Sequence, residues 1–207
     1  MDTFDTMMRR GGGAAIRAAG RFFMKDDPVH QSLRAITQRL TELDIPYCIA
    51  GGMALVAHGY DRTTVDVDLL VTEEGLAAIH ENLEGRGYVR LFEGSKTLCD
   101  ATTQVRIEFL VTGKYPGDGK PKPVAFPDPA TAGTEIEGIR YLGLPSLIEL
   151  KLASGMSAPH RLRDLADVQE LIRVLKLPRE FVDGLNPYVR DKFQELWLSI
   201  QQSPPEE

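Results

Sequence analysis

Two aspartates in a short apolar segment are the residues of this sequence best suited to chemistry. Asp66 and Asp68 alternate with valine and leucine within residues 65–71. This pattern is typical of a β-strand that carries both carboxylates on one face. Because two neighbouring carboxylates repel each other unless a cation lies between them, the pair predicts a divalent metal site. The alternative is that both acids face solvent on the polar side of an amphipathic strand.

Two adjacent glycines precede this strand. Gly51 and Gly52 follow the apolar segment 47–50 and begin a short predicted helix that ends near Gly59. The backbone N–H groups of a glycine turn that opens a helix are suited to bind phosphate. A metal site and a phosphate site so close in the chain together suggest a nucleoside triphosphate.

A third acid is expected near the two aspartates, because Mg²⁺ prefers oxygen ligands and is often held by carboxylates, phosphate oxygens and water. Glu108 is the best candidate, since it is the lone acid in a predicted apolar strand over 105–111. An unpaired carboxylate there would be costly. If the two strands are neighbours, all three acids can share one cluster. Glu108 could instead pair with Arg106.

Composition and charge narrow the classes of protein that fit the sequence. The 207 residues suffice for one domain, or for a core with a helical appendage. Two cysteines give no disulfide framework and fit a cytoplasmic protein. No apolar run is long enough to cross a bilayer, so we expect no membrane partner. The net charge of −6 argues against the binding of bulk nucleic acid.

The hydrophobic pattern predicts an α+β fold, with a small mixed β-sheet and flanking helices followed by a helical C-terminal part. Residues 1–25 carry three consecutive glycines and five basic side chains, which predicts a mobile basic tail. A basic amphipathic segment is the alternative. We expect a core over 26–144, a helical subdomain over 145–202 and a frayed end over 203–207.

Several charged residues of the C-terminal half could reach a ligand. Lys151 lies among leucines, so its stem can pack while its ammonium group contacts a triphosphate, or simply reaches solvent. A helix predicted to begin at Pro159 carries an apolar stripe formed by Leu162, Leu165, Val168, Ile172 and Leu175. Asp164 and Asp167 are one turn apart on this helix, and the stripe places Asp164 beside the buried side and Asp167 further out. Arg161 is predicted near the centre of that stripe, where it would pair with Asp164 or contact ligand.

Arg62 lies just before the strand that carries the two aspartates. It could bind the triphosphate, or it could pair with Asp61 or Asp66.

The order of these motifs resembles the nucleotidyltransferase superfamily, whose fold is shared with DNA polymerase beta. The signature of that superfamily is an apolar residue followed by Gly-Gly or Gly-Ser, then Asp-x-Asp or Asp-x-Glu, then an acid on a later strand. In this sequence the matching residues are Gly51-Gly52, Asp66-Val67-Asp68 and Glu108.

Within the superfamily, the sequence is most similar to the AbiEii-type and minimal nucleotidyltransferases of prokaryotes. That subgroup adds a lysine on a helix and then an Arg-x-basic-Asp segment, which Lys151 and residues 161–164 match. The resemblance covers about residues 30–175. The added basic domain with which larger members grip tRNA is missing.

The resemblance implies an enzyme that transfers a nucleoside monophosphate from a nucleoside triphosphate, such as ATP, to a hydroxyl group on a protein, an RNA end or a small molecule. It implies Mg²⁺ as cofactor, with Asp66, Asp68 and Glu108 as metal-binding and catalytic residues. The implied nucleotide-binding residues are Gly51, Gly52, Arg62, Lys151, Arg161 and Asp164. Members of the subgroup often act in toxin–antitoxin pairs, so an antitoxin is a candidate partner. A nucleotide-binding module without turnover and a protein-interaction module are the alternatives.

Overall fold

The apolar segments of the chain form a seven-stranded mixed sheet in the order β3-β4-β5-β2-β1-β7-β6. The structure, a computed structural model, describes residues 3–202. The strands are β1 (Cys48–Ile49), β2 (Asp66–Val71), β3 (Tyr88–Arg90), β4 (Leu98–Asp100), β5 (Arg106–Val111), β6 (Gly133–Ile136) and β7 (Ile139–Leu142). Together with the helices, this sheet confirms the predicted α+β class.

Helices cover the sheet and form the C-terminal part of the chain. They are α1 (Phe4–Arg10), α2 (Gly12–Phe23), α3 (Pro28–Glu42), α4 (Gly51–Ala57), α5 (Glu73–Leu83), α6 (Pro129–Ala132), α7 (Leu144–Ser157), α8 (Leu162–Val174) and α9 (Pro187–Gln202). Two 3₁₀ segments, Pro159–Arg161 and Arg179–Gly184, precede α8 and α9. None of the helices within 3–202 combines the length and apolar character that a membrane span requires.

Strands β2 and β5 lie side by side in the middle of the sheet and run parallel. On one face of β2, Val67, Leu69 and Val71 are fully buried in the core. Because side chains alternate along a strand, the opposite face carries Asp66 and Asp68. The apolar face therefore anchors the strand in the core and fixes the direction of the acids.

The N-terminal segment differs from the predicted mobile tail, because its described part forms helices α1 and α2. Gly11 and Gly12, both with positive φ angles, make the turn between them. Phe4 and Phe22 are buried and stack with ring centroids 6.4 Å apart, and Phe22 also packs edge-on against His30 at 4.8 Å. These two ring contacts thus help to hold a segment whose glycines suggested disorder. The predicted frayed end, 203–207, lies outside the described residues.

The C-terminal helices α7, α8 and α9 pack against one another, as the prediction of a helical C-terminal part requires. Gly155 permits the close approach of α7 to α8, because a Cβ atom at this position would lie 2.5 Å from Cγ of Leu165. This contact fixes the distance between the helices that carry Lys151 and Asp167.

Candidate active site

The pairing of β2 with β5 brings the three predicted acids together. Asp68 lies opposite Glu108, and Asp66 lies opposite Arg106. Residues opposite each other on neighbouring strands share a face of the sheet, so Asp66, Asp68 and Glu108 project from the same side. Nη2 of Arg106 lies 4.0 Å from Oδ2 of Asp66, which is a loose ion pair. The three acids therefore form one cluster.

This cluster lies in a cleft of about 520 Å³ between the sheet and helices α7 and α8. The structure places every residue predicted for the site along this cleft, and their chemical roles stay predictions. These residues are Gly51, Gly52, Arg62, Asp66, Asp68, Glu108, Lys151, Arg161 and Asp164.

The two glycines at the start of α4 make room for the acids. Gly51 has a φ angle of +55°, and a Cβ atom there would lie 1.7 Å from Oδ2 of Asp68. A Cβ atom on Gly52 would lie 2.6 Å from the side chain of Thr64, whose hydroxyl donates to Asp66 at 2.8 Å. The backbone N–H of Gly52 donates to the carboxylate of Asp68. Only glycine fits at both positions without displacing an acid or its partner.

The pKa of Asp68 is raised because the carboxyl group is buried and has other acids nearby. Burial in the cleft floor, followed by the charges of Asp66 and Glu108, raises its pKa to about 7. The charge of Lys151 and the hydrogen bond from Gly52 act in the opposite direction. The three carboxylates therefore repel one another, and a cation bound among them would relieve this repulsion.

The donors of this cluster suit a magnesium ion. Among residues 3–202, no group of three or more His, Cys, Asp or Glu side chains could hold a metal ion as it stands. Mg²⁺ commonly binds through one or two carboxylates and completes its shell with substrate phosphates and water. The oxygen-only set of Asp66, Asp68 and Glu108 fits an ion that arrives with a triphosphate.

A network of buried charges forms the opposite wall of the cleft. Nζ of Lys151 donates to Asp164 at 2.9 Å and to Asp167 at 2.7 Å. Nη1 of Arg62 donates to both carboxylate oxygens of Asp167, at 2.7 and 2.8 Å. The hydroxyl of Ser154 donates to the second oxygen of Asp164 at 2.7 Å. The network joins the segment before β2 to helices α7 and α8.

The positions of these charged residues correct three predictions. Asp167 is buried and Asp164 is partly exposed, which is the reverse of the predicted order. Arg161 does not lie in a buried stripe, because it ends a 3₁₀ turn and is exposed. Arg62 pairs with Asp167 and not with Asp61 or Asp66, the two acids that were considered as alternatives to a triphosphate, and its binding of a triphosphate stays a prediction. The 3₁₀ turn explains the error for Arg161, since it takes this residue out of the periodicity of α8. Asp167 is buried because Arg62 and Lys151 both donate to it, which only the tertiary structure reveals.

The ionised form of Asp164 is favoured by its neighbours. Burial alone would raise the pKa of Asp164, but the charge of Lys151, hydrogen bonds from Ser154 and Lys151 and the charge of Arg161 together lower it. Asp164 is therefore an anion at neutral pH and a lasting partner of Lys151.

The remaining wall of the cleft is largely apolar. Pro116, Gly117 and Phe126 line it from the loop after β5. Gly117 lies so close to α7 that a Cβ atom there would be 2.8 Å from the carbonyl oxygen of Ser154. A cleft with charged and apolar sides suits a ligand that has both, such as a nucleotide.

Sequence reasoning missed the site contributions of Thr64, Ser154 and Phe126, and it misjudged Asp167. The spacing of Asp167 from Lys151 in the helical part was a usable signal, because acids and bases on neighbouring helices often pair. The other three carried no signal of their own, since their roles depend on tertiary contacts.

Several solved structures are similar in fold to this chain. The crystal structure of ANT(2'')-Ia in complex with adenylyl-2''-tobramycin gives a TM-score of 0.53 at 15% identity, over 80% of this chain and 96% of that chain. The solution structure of the antibiotic-resistance factor ANT(2'')-Ia gives 0.49 at 18% identity, over 82% and 92%. An antigenic nucleotidyltransferase-like protein from Paracoccidioides brasiliensis gives 0.49 at 19% identity, over 81% and 84%.

No protein-family model and no curated protein matches the sequence. The resemblance to the AbiEii-type subgroup therefore stays a prediction. The crystal structure of ANT(2'')-Ia matches most of both chains, although few residues are identical. The arrangement of strands, glycine turn and acids described above agrees with that likeness, and the chain has the nucleotidyltransferase fold.

Proposed function

We propose that the protein is a Mg²⁺-dependent nucleotidyltransferase, which transfers a nucleoside monophosphate from a nucleoside triphosphate to a hydroxyl acceptor. One observation carries the proposal. Asp66, Asp68 and Glu108 lie side by side on two parallel strands, in a cleft of a protein with the nucleotidyltransferase fold. The raised pKa of Asp68 supports the presence of a cation in the working site.

The proposed reaction is an in-line displacement at the α-phosphorus. The acceptor hydroxyl oxygen forms a bond to this phosphorus, and the bond to the oxygen that bridges the α- and β-phosphates breaks. Glu108 takes the hydroxyl proton, and pyrophosphate leaves with the electrons of the broken bond. Mg²⁺ held by Asp66 and Asp68 would lower the charge on the phosphate oxygens and assist the leaving group.

The charged wall of the cleft is suited to hold the triphosphate. Lys151 lines the same cleft as Asp68, and its positive charge acts to lower the pKa of Asp68. Arg62 shares a carboxylate with Lys151 and therefore lies in the same region. Arg161 is exposed at the cleft, where a guanidinium group can contact phosphate.

The chemical class of the acceptor is inferred from a structural neighbour. The structure of ANT(2'')-Ia contains adenylyl-2''-tobramycin, so one protein with this fold occurs with an adenylylated small molecule. This favours a small-molecule hydroxyl for the present chain, with an RNA end or a protein as the other classes. Action within a toxin–antitoxin pair, which only the AbiEii-type resemblance implies, stays a prediction.

The proposal is tested by incubating the protein with each of the four labelled ribonucleoside triphosphates, Mg²⁺ and a panel of small molecules, RNAs and proteins. We expect labelled acceptor and pyrophosphate. Asp66→Asn, Asp68→Asn and Glu108→Gln should each lower the rate by about 100-fold or more, because each removes charge from the reacting centre.

Asp61→Asn is the matched control, because it removes an exposed acid close in sequence. Equal rates for the wild type and the three acid variants would contradict the proposal. Nucleotide-dependent thermal stabilisation without any product would instead favour a binding module without turnover.

A further inference from the structure

Two cations from distant parts of the chain meet on one buried carboxylate. Arg62 lies before β2, Lys151 lies on α7, and Asp167 lies on α8. Asp167 is 3% exposed and Lys151 is 8% exposed. Oδ2 of Asp167 accepts from Lys151 at 2.7 Å and from Arg62 at 2.8 Å, while Oδ1 accepts from Arg62 at 2.7 Å. One carboxyl group thus fixes the separation of two cations.

Without the carboxylate of Asp167, repulsion and side-chain entropy would favour a larger separation of the two cations. Arg62 and Lys151 carry the same charge and are held close together in a partly desolvated wall, where repulsion is strong. Both have long side chains that gain rotational freedom when they reach solvent. Of the two cations, Asp164 accepts a hydrogen bond from Lys151 but none from Arg62. Asp164 therefore cannot keep the two cations together.

Asp167 leaves capacity for a ligand on the cations that it holds. Arg62 uses only Nη1 to bind Asp167, and its Nε–H is buried without a hydrogen-bond partner among the described residues. A guanidinium group has five N–H donors, so this contact does not saturate it. An ammonium group has three donors, and two of those on Lys151 are used by Asp164 and Asp167.

We propose that Asp167 is a positioning residue, which holds Arg62 and Lys151 as one binding site for the phosphate chain of the nucleotide. This inference rests on the proposed function and assigns a role to a residue that the sequence placed on the outside of α8. Asp167 acts through the two cations and makes no contact with the reacting atoms.

The proposal makes a prediction opposite to that of net charge. Asp167→Asn removes a negative charge from the wall, so simple electrostatics predicts tighter binding of a polyanion. If Asp167 positions the cations, the same change lets them separate. Binding of inorganic tripolyphosphate should then weaken by about tenfold or more, since a charge-assisted hydrogen bond to phosphate is lost or displaced.

The experiment measures binding of tripolyphosphate, of a non-hydrolysable ATP analogue and of adenosine to the full chain by calorimetry. We expect Asp167→Asn to weaken the first two and to leave adenosine unchanged. Asp61→Asn, which removes an exposed acid next to Arg62, should bind tripolyphosphate as well as the wild type or better. Circular dichroism confirms that each variant is folded at the temperature used.

Asp167→Glu keeps the charge and shifts the carboxyl group by one methylene, so it remains informative if Asp167→Asn does not fold. If Asp167 positions the cations, this variant should bind tripolyphosphate more weakly. If only net charge matters, its binding should equal that of the wild type. In a double-mutant cycle, the effects of Asp167→Asn and Arg62→Gln on tripolyphosphate binding should be strongly non-additive, because each change removes the same contact between Arg62 and Asp167.

Unchanged or tighter tripolyphosphate binding by folded Asp167→Asn, or by Asp167→Glu if the first does not fold, would overturn the inference and leave the proposed function intact. A wild type that binds neither tripolyphosphate nor the ATP analogue would overturn both.

Discussion

At the scale of single residues, the site depends on how closely the backbone at Gly51 approaches Asp68. Gly51 combines a left-handed φ angle with a position where no side-chain carbon fits. The approach also lets the N–H of the next residue, Gly52, donate to the Asp68 carboxylate. Glycine is thus required at position 51 both by the backbone conformation and by the closeness of the Asp68 side chain.

Gly51→Ala should therefore abolish activity. The new methyl group would lie 1.7 Å from Oδ2 of Asp68, so either the carboxylate or the start of α4 must move. We expect a loss of nucleotidyl transfer of about 100-fold or more, because small displacements of reacting groups have large effects on rate. The measurement is pyrophosphate release.

Gly85→Ala is the matched control. Gly85 has a φ angle of +74° with nothing within 4 Å of the added Cβ atom, so this variant suffers only the backbone strain, about 1–2 kcal/mol. Equal activity of the two variants would show that the contact with Asp68 does not matter.

The sequence was sufficient to predict the acids but not all of their partners. Asp66, Asp68 and Glu108 were found because an acid in an apolar strand is conspicuous on its own. Thr64 and Ser154 were missed because hydroxyl residues are common everywhere, and only tertiary contacts reveal what they bind.

At the scale of elements, the junction of α7 with α8 builds the charged wall of the site. Lys151 and Ser154 on α7 both donate to Asp164 on α8. The predicted apolar stripe of α8 included Leu162, which is 67% exposed in the structure. The helix was expected to begin at Pro159, but residues Pro159–Arg161 form a 3₁₀ turn, so Leu162 is the first residue of α8 and lies outside its buried part.

Asp164→Asn should destabilise the protein in a pH-dependent manner. The pKa of Asp164 is lowered from an ordinary value of 3.8, so its contribution to stability is present above that value and is lost as the pH falls through the lowered pKa. We expect the free energy of unfolding to drop by about 1–3 kcal/mol near neutral pH. This difference should shrink below about pH 4.

Urea denaturation of the wild type and the variant over this pH range measures the effect. Asp183→Asn, which changes an exposed acid beyond α8, should match the wild type throughout. A difference that stayed constant as the pH fell would mean that the charge of Asp164 contributes nothing.

At the scale of the whole molecule, the structure of the sheet matches the prediction from the sequence, whereas the structure of the N-terminal segment differs from it. Strands β2 and β5 were predicted because each is long and strongly apolar. Strand β4 was missed because it has three residues and is held mainly by its neighbours. Helices α1 and α2 were foreseen only as the alternative of a basic amphipathic segment, because glycine favours an irregular chain, and burial of Phe4 and Phe22 offsets this preference.

Phe22→Ala should test whether this N-terminal packing contributes to stability. Phe22 is 1% exposed, so the substitution should lower the free energy of unfolding by about 3–5 kcal/mol. Phe23→Ala, one residue later and 51% exposed, should have little effect. Chemical denaturation compares the two variants. If both matched the wild type, the mobile tail inferred from the sequence would be the better description.

The distance along the chain between Asp68 and Asp167 has a consequence for biosynthesis. A ribosome completes Arg62 and the acid-bearing strands well before it reaches α7 and α8, so a nascent chain that stops before α7 lacks Lys151 and Asp167. Such a chain would carry the acids without the paired cations that we propose for the phosphate chain. Phosphate binding of the proposed kind would thus appear only after α8 has been made.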